Sequence, residues 1–437
     1  QDGWTQAQKT AYAAGKQNAI AAYNDTKSDN TKANPNASGT DAAQAFDGAK
    51  AGFAAGAKGI KPDDINSQSA TYKAAFNSAY DEAQSQSAQA QRDFAAGKSD
   101  QSTASNDSLN QAYKSAYAES KQGYTDQKDG KVNNDNKDIN YLQGIENAKQ
   151  LANGTNDATT NPSNNGNEYK STPAQEAAYQ ATLNGYKDGA NGNSDNQTPT
   201  DASQSVVYND AYAAAKQQAQ KDAATGASDF NKGLDQPYGT DSHSIAQTKG
   251  YQDASDGYRL AKDTPSAAIP SGATDAYISG YNAYKSSQAG LNDVENNTTT
   301  DHVDNDAYAK AQKAYTDASN AIAANPDKPQ SSQYKDPAYV DAYNKAVSDL
   351  QTNYQTGQQQ FDSGKNVADT TNVTSQQAKD RLAQGYNDTK SGFDSVVNNT
   401  PISNPNAAQK DGIKSAHTVQ DAVSGIVNNN TDATNQD

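Results

Sequence analysis

Large residues recur along this chain at spacings of four, seven and eight, as in Tyr72, Phe76 and Tyr80 or Tyr308 and Tyr315. That period places them on one face of an α-helix, whereas a strand would need alternation by two. Alanine, the residue of highest helix propensity, fills most positions between them. The boundaries agree with a helical reading. Asp107-Ser108, Thr172-Pro173, Asp275, Asp336-Pro337 and Pro405 read as starts, with proline suited to a first turn. Gly97, Gly130, Gly154, Gly189, Gly233 and Gly364 read as ends, where a left-handed residue closes a helix. Polar joints follow, such as residues 30–40, 154–167 and 191–200.

The helical segments repeat. Tyr208-x-x-Ala211-Tyr212-x-x-Ala215 leads to Phe230 and Gly233, and every one of these positions recurs 131 residues later, from Tyr339 to Gly364. Phe76-x-x-Ala79-Tyr80-x-x-Ala83 opens a third copy, with Phe94 and Gly97 arriving four residues early, one helical turn. A second motif pairs aromatics seven apart: Phe46/Phe53, Tyr117/Tyr124, Tyr179/Tyr186, Tyr251/Tyr258, Tyr308/Tyr315 and Tyr386/Phe393. Glycine precedes the second member in every pair except the one with Ala314. A third set comprises Tyr141-x-x-Gly144-Ile145, Tyr277-x-x-Gly280-Tyr281 and Gln409-x-x-Gly412-Ile413, with Gln8-x-x-Ala11-Tyr12 as a looser member. In order, these give units at 1–134, 135–267 and 268–400, with 401–437 as a terminal helix, cap and disordered tail. The predicted fold is all-α: an elongated array of antiparallel helices, as hairpins or small bundles, in tandem repeats of about 132 residues.

The glycines before the second aromatics predict close backbone approach. Glycine inside a helix costs about 0.5–1 kcal/mol relative to alanine, and repeating that cost implies a packing reason. The periodic tyrosines are accordingly read as core, ring buried and hydroxyl reaching water or a carbonyl. Trp4 and Tyr238, which break the period, are the better candidates for an exposed contact, although each also suits a loop or cap.

Composition limits the core and the chemistry. Leu, Ile, Val and Phe make up only about a tenth of the chain, so large conventional cores are excluded. Net charge is −16 with three arginines, Arg92, Arg259 and Arg381, which excludes a basic stripe for nucleic acid. No segment is apolar enough for direct membrane insertion. Zero cysteines removes disulfides and thiolate chemistry. His243, His302 and His417 form no metal motif, and the six glutamates and scattered aspartates suggest no catalytic pair, so no catalytic, cofactor or metal residues are assigned. Residues 125–136 place Asp129, Gly130 and Val132 as a calcium loop would but fail as one, because Thr125, Gln127 and Asn136 stand where acidic ligands belong. Methionine is absent even at position 1, as expected of a processed product whose leader and anchor are not visible.

The Tyr-x-x-Gly/Ala-Tyr and Gly-Tyr-x-x-Ala phrasing, as in Tyr277 to Tyr284 and Gly250 to Tyr258, resembles the repeat regions of large secreted surface proteins of lactic-acid bacteria, which are Gram-positive. The resemblance covers the whole chain and implies a non-enzymatic cell-surface protein, a stalk or adhesin acting in adhesion, aggregation or display. Partners implied are host glycans, host surface proteins or neighbouring cells. The alternative is a largely disordered hydrophilic protectant or linker, favoured by low apolar content.

Overall fold

A computed structural model describes residues 2–102, 104, 106–163, 172–192 and 205–434, with side chains through 427. Among these residues every regular element is helical, and the chain divides into two compact units, residues 1–220 with 239–245 and residues 221–238 with 246–437. The first unit contains α1 (Gln6–Ser28), α2 (Asp41–Lys58), α3 (Ala70–Ala95), α4 (Asp107–Asp129), α5 (Ile139–Thr160) and α6 (Pro173–Ala190). Next come α7 (Val206–Asn231) and α8 (Ser242–Asp263), whose residues are shared between the units as their numbers dictate. The second unit continues with α9 (Asp275–Asn296), α10 (Asn305–Ala324), α11 (Pro337–Asp362), α12 (Gln376–Val397) and α13 (Ala407–Thr434). Each sequence motif therefore occupies one helix. The joins of the repeat frame, after residues 134, 267 and 400, fall in joints between helices.

Local chemistry sets the helix ends. Thr5, Thr40, Ser69, Asn106, Thr172, Thr274 and Ser375 each accept a hydrogen bond from the amide three residues on, satisfying a donor that the first turn leaves open. Gly97, Gly130, Gly233 and Gly364 close their helices with φ between 68 and 81°. Gly154 does not end a helix. α5 runs on to Thr160, because Gly154 lies against the carbonyl of Gln175 and the Ala178 side chain and serves packing instead. Residues 164–167 and 193–200 of the expected joints lie outside the described residues.

Helices pack on their neighbours in sequence, and the glycines set the separation. A Cβ added at Gly52, Gly123, Gly185, Gly257 or Gly392 would stand 2.0–2.5 Å from a carbonyl oxygen of the following helix. Only hydrogen fits there. The sense of the pairs differs from the antiparallel arrangement expected. Gly48, Gly52 and Gly56 face the carbonyls of Tyr72, Phe76 and Tyr80, so contact numbers rise together along α2 and α3. In the second unit Lys310, Asp317 and Pro326 meet Asp336, Tyr339 and Gln351 in the same rising order. These neighbours are parallel. Joint length permits it: residues 59–69 can span roughly 36 Å when extended, more than the length of roughly 27 Å of α2. Hairpin connections of about 2–5 residues would have forced the opposite sense.

Apolar burial is spread over several small clusters in each unit. In the first, Phe46 and Phe53 pack with Ala49, Ala79 and Leu109. In the second, Tyr315, Leu291, Ile322 and Leu350 form the largest cluster. Helices that are not immediate neighbours are tied by buried serines at equivalent repeat positions. Ser108 Oγ donates to the carbonyl of Thr26 at 2.7 Å, and Ser242 Oγ to that of Ala158 at 2.8 Å. No helix among the described residues is long and apolar enough to cross a membrane.

Candidate functional site

Apart from Tyr12, the periodic tyrosines are buried, as at Tyr124, Tyr179, Tyr258 and Tyr315, or half-buried, as at Tyr117, Tyr251 and Tyr308, and many donate their hydroxyls to carboxylates. In the first unit Tyr124 donates to Asp210 at 2.8 Å. Lys128 reaches the same carboxylate at 2.5 Å and lies 5.2 Å from the Tyr124 ring centroid. In the second unit Tyr258 donates to Asp341 at 3.0 Å, with Lys262 on that carboxylate at 2.9 Å. The same three-residue clamp, with the lysine four residues after the tyrosine, thus recurs in both units. Tyr113 on Asp93, Tyr212 on Asp188 and Tyr354 on Asp388 extend the pattern at 3.0, 2.7 and 2.8 Å.

Burial first, and then the bonded carboxylate, push these phenols upward: Tyr113 and Tyr212 to about 12, and Tyr124, Tyr258 and Tyr354 further still. Burial works against Asp93, yet bonds from Gln89, Lys98 and Tyr113 hold it below the usual carboxylate range. A phenol locked in its neutral form, with its proton committed to an aspartate, is a poor nucleophile and a poor general base near neutral pH. The clamp is therefore structural.

A pH dependence follows from its sign. Tyrosine ionises near 10 in the unfolded chain but near 12 at Tyr113 and Tyr212 in the folded one. The associated stability is complete below pH 10 and is lost as pH rises from about 10 through about 12. Helical circular dichroism should hold to about pH 10 and collapse above it, together with the rise of tyrosinate absorbance. Full tyrosine ionisation with the helices intact would contradict this.

The exposed candidates are of a different kind. Tyr238 is 87% exposed in the joint after α7. Trp4 is 41% exposed and stands edge-on to Tyr12, ring centroids 5.3 Å apart. Tyr12 in turn lines an open groove of about 650 Å³ in the first unit, between α1 and α3. Alanines 45, 74 and 75 contribute to its wall, with Ile20 and Tyr23 beside them. Tyr23 donates to Glu82 at 3.1 Å, and Lys27 pairs with Glu82 at 2.6 Å. The groove is thus mostly apolar with two anchored carboxylates, Glu82 and Asp41, the latter accepting from the Thr71 hydroxyl at 3.2 Å. Nothing in the sequence pattern signalled it, since the α1 motif is the loosest of its set.

The remaining chemistry-bearing residues are dispersed. His243 bonds the Tyr186 hydroxyl at 2.9 Å, His302 stacks on Tyr308 with centroids 3.7 Å apart, and His417 is exposed. Among the described residues no three His, Cys, Asp or Glu side chains could jointly hold a metal ion. In the segment that resembles a calcium loop, Thr125 to Asp129 form the last turn of α4. Gly130 caps that turn, and Asp126 accepts from the Tyr141 hydroxyl at 2.9 Å. No known protein family, curated protein or solved structure matches the chain.

Proposed function

We propose that this protein is a non-enzymatic extracellular surface protein, a stalk or adhesin that acts in adhesion, aggregation or display through its repeated helical units. One observation carries the reading: a single type of glycine-to-carbonyl helix joint recurs along both units, so the sequence is spent on extending an array. Two further features support it. The tyrosine hydroxyls are committed to internal clamps, and the surface is acidic with a net charge of −16. Repeated units multiply weak contacts into avidity without any strong single site. Exposed aromatics such as Tyr238 and the Trp4–Tyr12 pair suit stacking on sugar rings of host glycans, host surface proteins or neighbouring cells.

The test is antibody labelling of intact cells that make the protein, combined with an aggregation assay of cells lacking it. Labelling without permeabilisation and reduced aggregation are expected. Labelling only after lysis would reject a surface location. The alternative, a disordered hydrophilic protectant, requires a chain that does not pack, and a thermal melt of the helical signal distinguishes it: a coil spectrum without a transition would favour that alternative.

A further inference from the structure

Several joints inside the units share one lock. The donor helix carries large-x-x-small-x-x-Gly-large, as in Phe46/Ala49/Gly52/Phe53, Tyr117/Ser120/Gly123/Tyr124, Tyr251/Ala254/Gly257/Tyr258 and Tyr386/Thr389/Gly392/Phe393. The glycine seats on the carbonyl of Phe76, Tyr141, Tyr277 or Gln409, at 2.0–2.3 Å from its Cβ position. On each acceptor helix a small residue and then a large one follow three and four places later: Ala79-Tyr80, Gly144-Ile145, Gly280-Tyr281 and Gly412-Ile413. Gly154 seats in the same way on Gln175, ahead of Ala178-Tyr179.

Two further copies of these motifs have no mate among the described residues. α13 carries Val419-x-x-Ala422-x-x-Gly425-Ile426, the donor pattern, yet a Cβ at Gly425 would meet nothing within 4 Å. Val419, Val423 and Ile426 are 51, 54 and 62% exposed, in contrast to Phe53, Tyr124 and Tyr258 at 5% or less. α1 carries Gln8-x-x-Ala11-Tyr12, the acceptor pattern and the same residue types as Gln175-x-x-Ala178-Tyr179. Gln8 and Ala11 are exposed, and Tyr12 is 50% exposed.

We propose that the chain associates head to tail, the Gly425 face of α13 in one copy seating on Gln8, Ala11 and Tyr12 of α1 in the next. The occupant is specified by the motif, since α1 offers the surface that receives this glycine at the internal joints. A Gly-on-Ala contact is sufficient, as Gly52 on Ala79 and Gly154 on Ala178 show, where a Cβ added to the glycine would stand only 2.9 and 2.7 Å from the alanine side chain. Such an interface is heterologous, so it builds chains of copies or a ring rather than a closed pair. One helix joint is small for a stable interface, and like charge opposes it, so association is weak and strengthens with salt.

The experiment is sedimentation equilibrium of the full chain from about 10 µM to about 1 mM, alongside fluorescence of the sole tryptophan, Trp4, which stands against Tyr12 at the joint. Average mass is expected to rise with concentration and salt, with a parallel change in Trp4 emission. Gly425→Leu should weaken association about tenfold or more without harming the fold, because the added side chain meets open space. Ala11→Leu should do the same from the other side. A monomer throughout the range overturns the proposal. So does association that ignores both variants, which would place the interface elsewhere.

Discussion

Gly257→Leu is expected to unfold its own neighbourhood, at a cost of about 3 kcal/mol or more, the upper part of the range for overpacking. A Cβ at this position would lie 2.0 Å from the Tyr277 carbonyl oxygen and 3.1 Å from the Tyr281 amide nitrogen. Both are backbone atoms that cannot rotate away, so α8 and α9 must separate, breaking the contact of Tyr258 with Tyr284. The gain in intrinsic helix propensity, up to about 1 kcal/mol, offsets only part of this. Amide exchange should accelerate along α8 and α9 while α2 and α3, in the other unit, keep their protection. Uniform acceleration through both units would show that stability is not held between neighbours. Gly425→Leu is the matched control, expected to leave the melt unchanged or slightly raised.

Tyr212→Ala should cost about 3–5 kcal/mol, and Tyr238→Ala should stay within about 0.5 kcal/mol of the parent. Tyr212 is 3% exposed, stacks near Tyr208 and donates to Asp188 at 2.7 Å. Truncation therefore leaves a cavity beside α6 and removes the bond from Tyr212 to Asp188. Tyr238 is 87% exposed and has little to lose. Tyr212→Phe separates the two contributions, since it keeps the ring and should cost about 1.5–3 kcal/mol, the range for a hydrogen bond to a charged group. Urea melts of the four proteins give the order directly. A larger loss at Tyr238 than at Tyr212 would mean that the periodic face is not the buried one.

Of the candidate contacts, Trp4 and Tyr238 were legible because an aromatic outside the helical period has no place in a repeating interface, and both are exposed. The groove beside Tyr12 and Tyr23 was not. Its walls are alanines of α2 and α3, ordinary helix residues whose role depends on which helix stands opposite. The Tyr124–Asp210 and Tyr258–Asp341 clamps were hidden for a similar reason. Each joins positions more than eighty residues apart, in a chain where aspartate is abundant enough to give every tyrosine many apparent partners.

The sequence by itself determined where the helices lie and how closely they approach. Hydrogen bonds four residues apart, caps at Ser69 or Thr274 and closing glycines such as Gly130 act within a turn or two, so their pattern is complete in a short window. Gly257 and its equivalents were readable too, since a residue that weakens its own helix at recurring positions signals a contact made elsewhere. Tertiary structure decided the sense and identity of the contacts. Gly-to-carbonyl seating suits either direction of the neighbouring helix; joints such as residues 59–69 are long enough to permit the parallel one, and the packing between the helices takes it. It also assigned Gly154 to packing rather than to a helix end, and buried Ser108 and Ser242 as ties between distant helices. Those outcomes depend on many weak contacts made at once between separated segments, a sum that no local window of the chain contains.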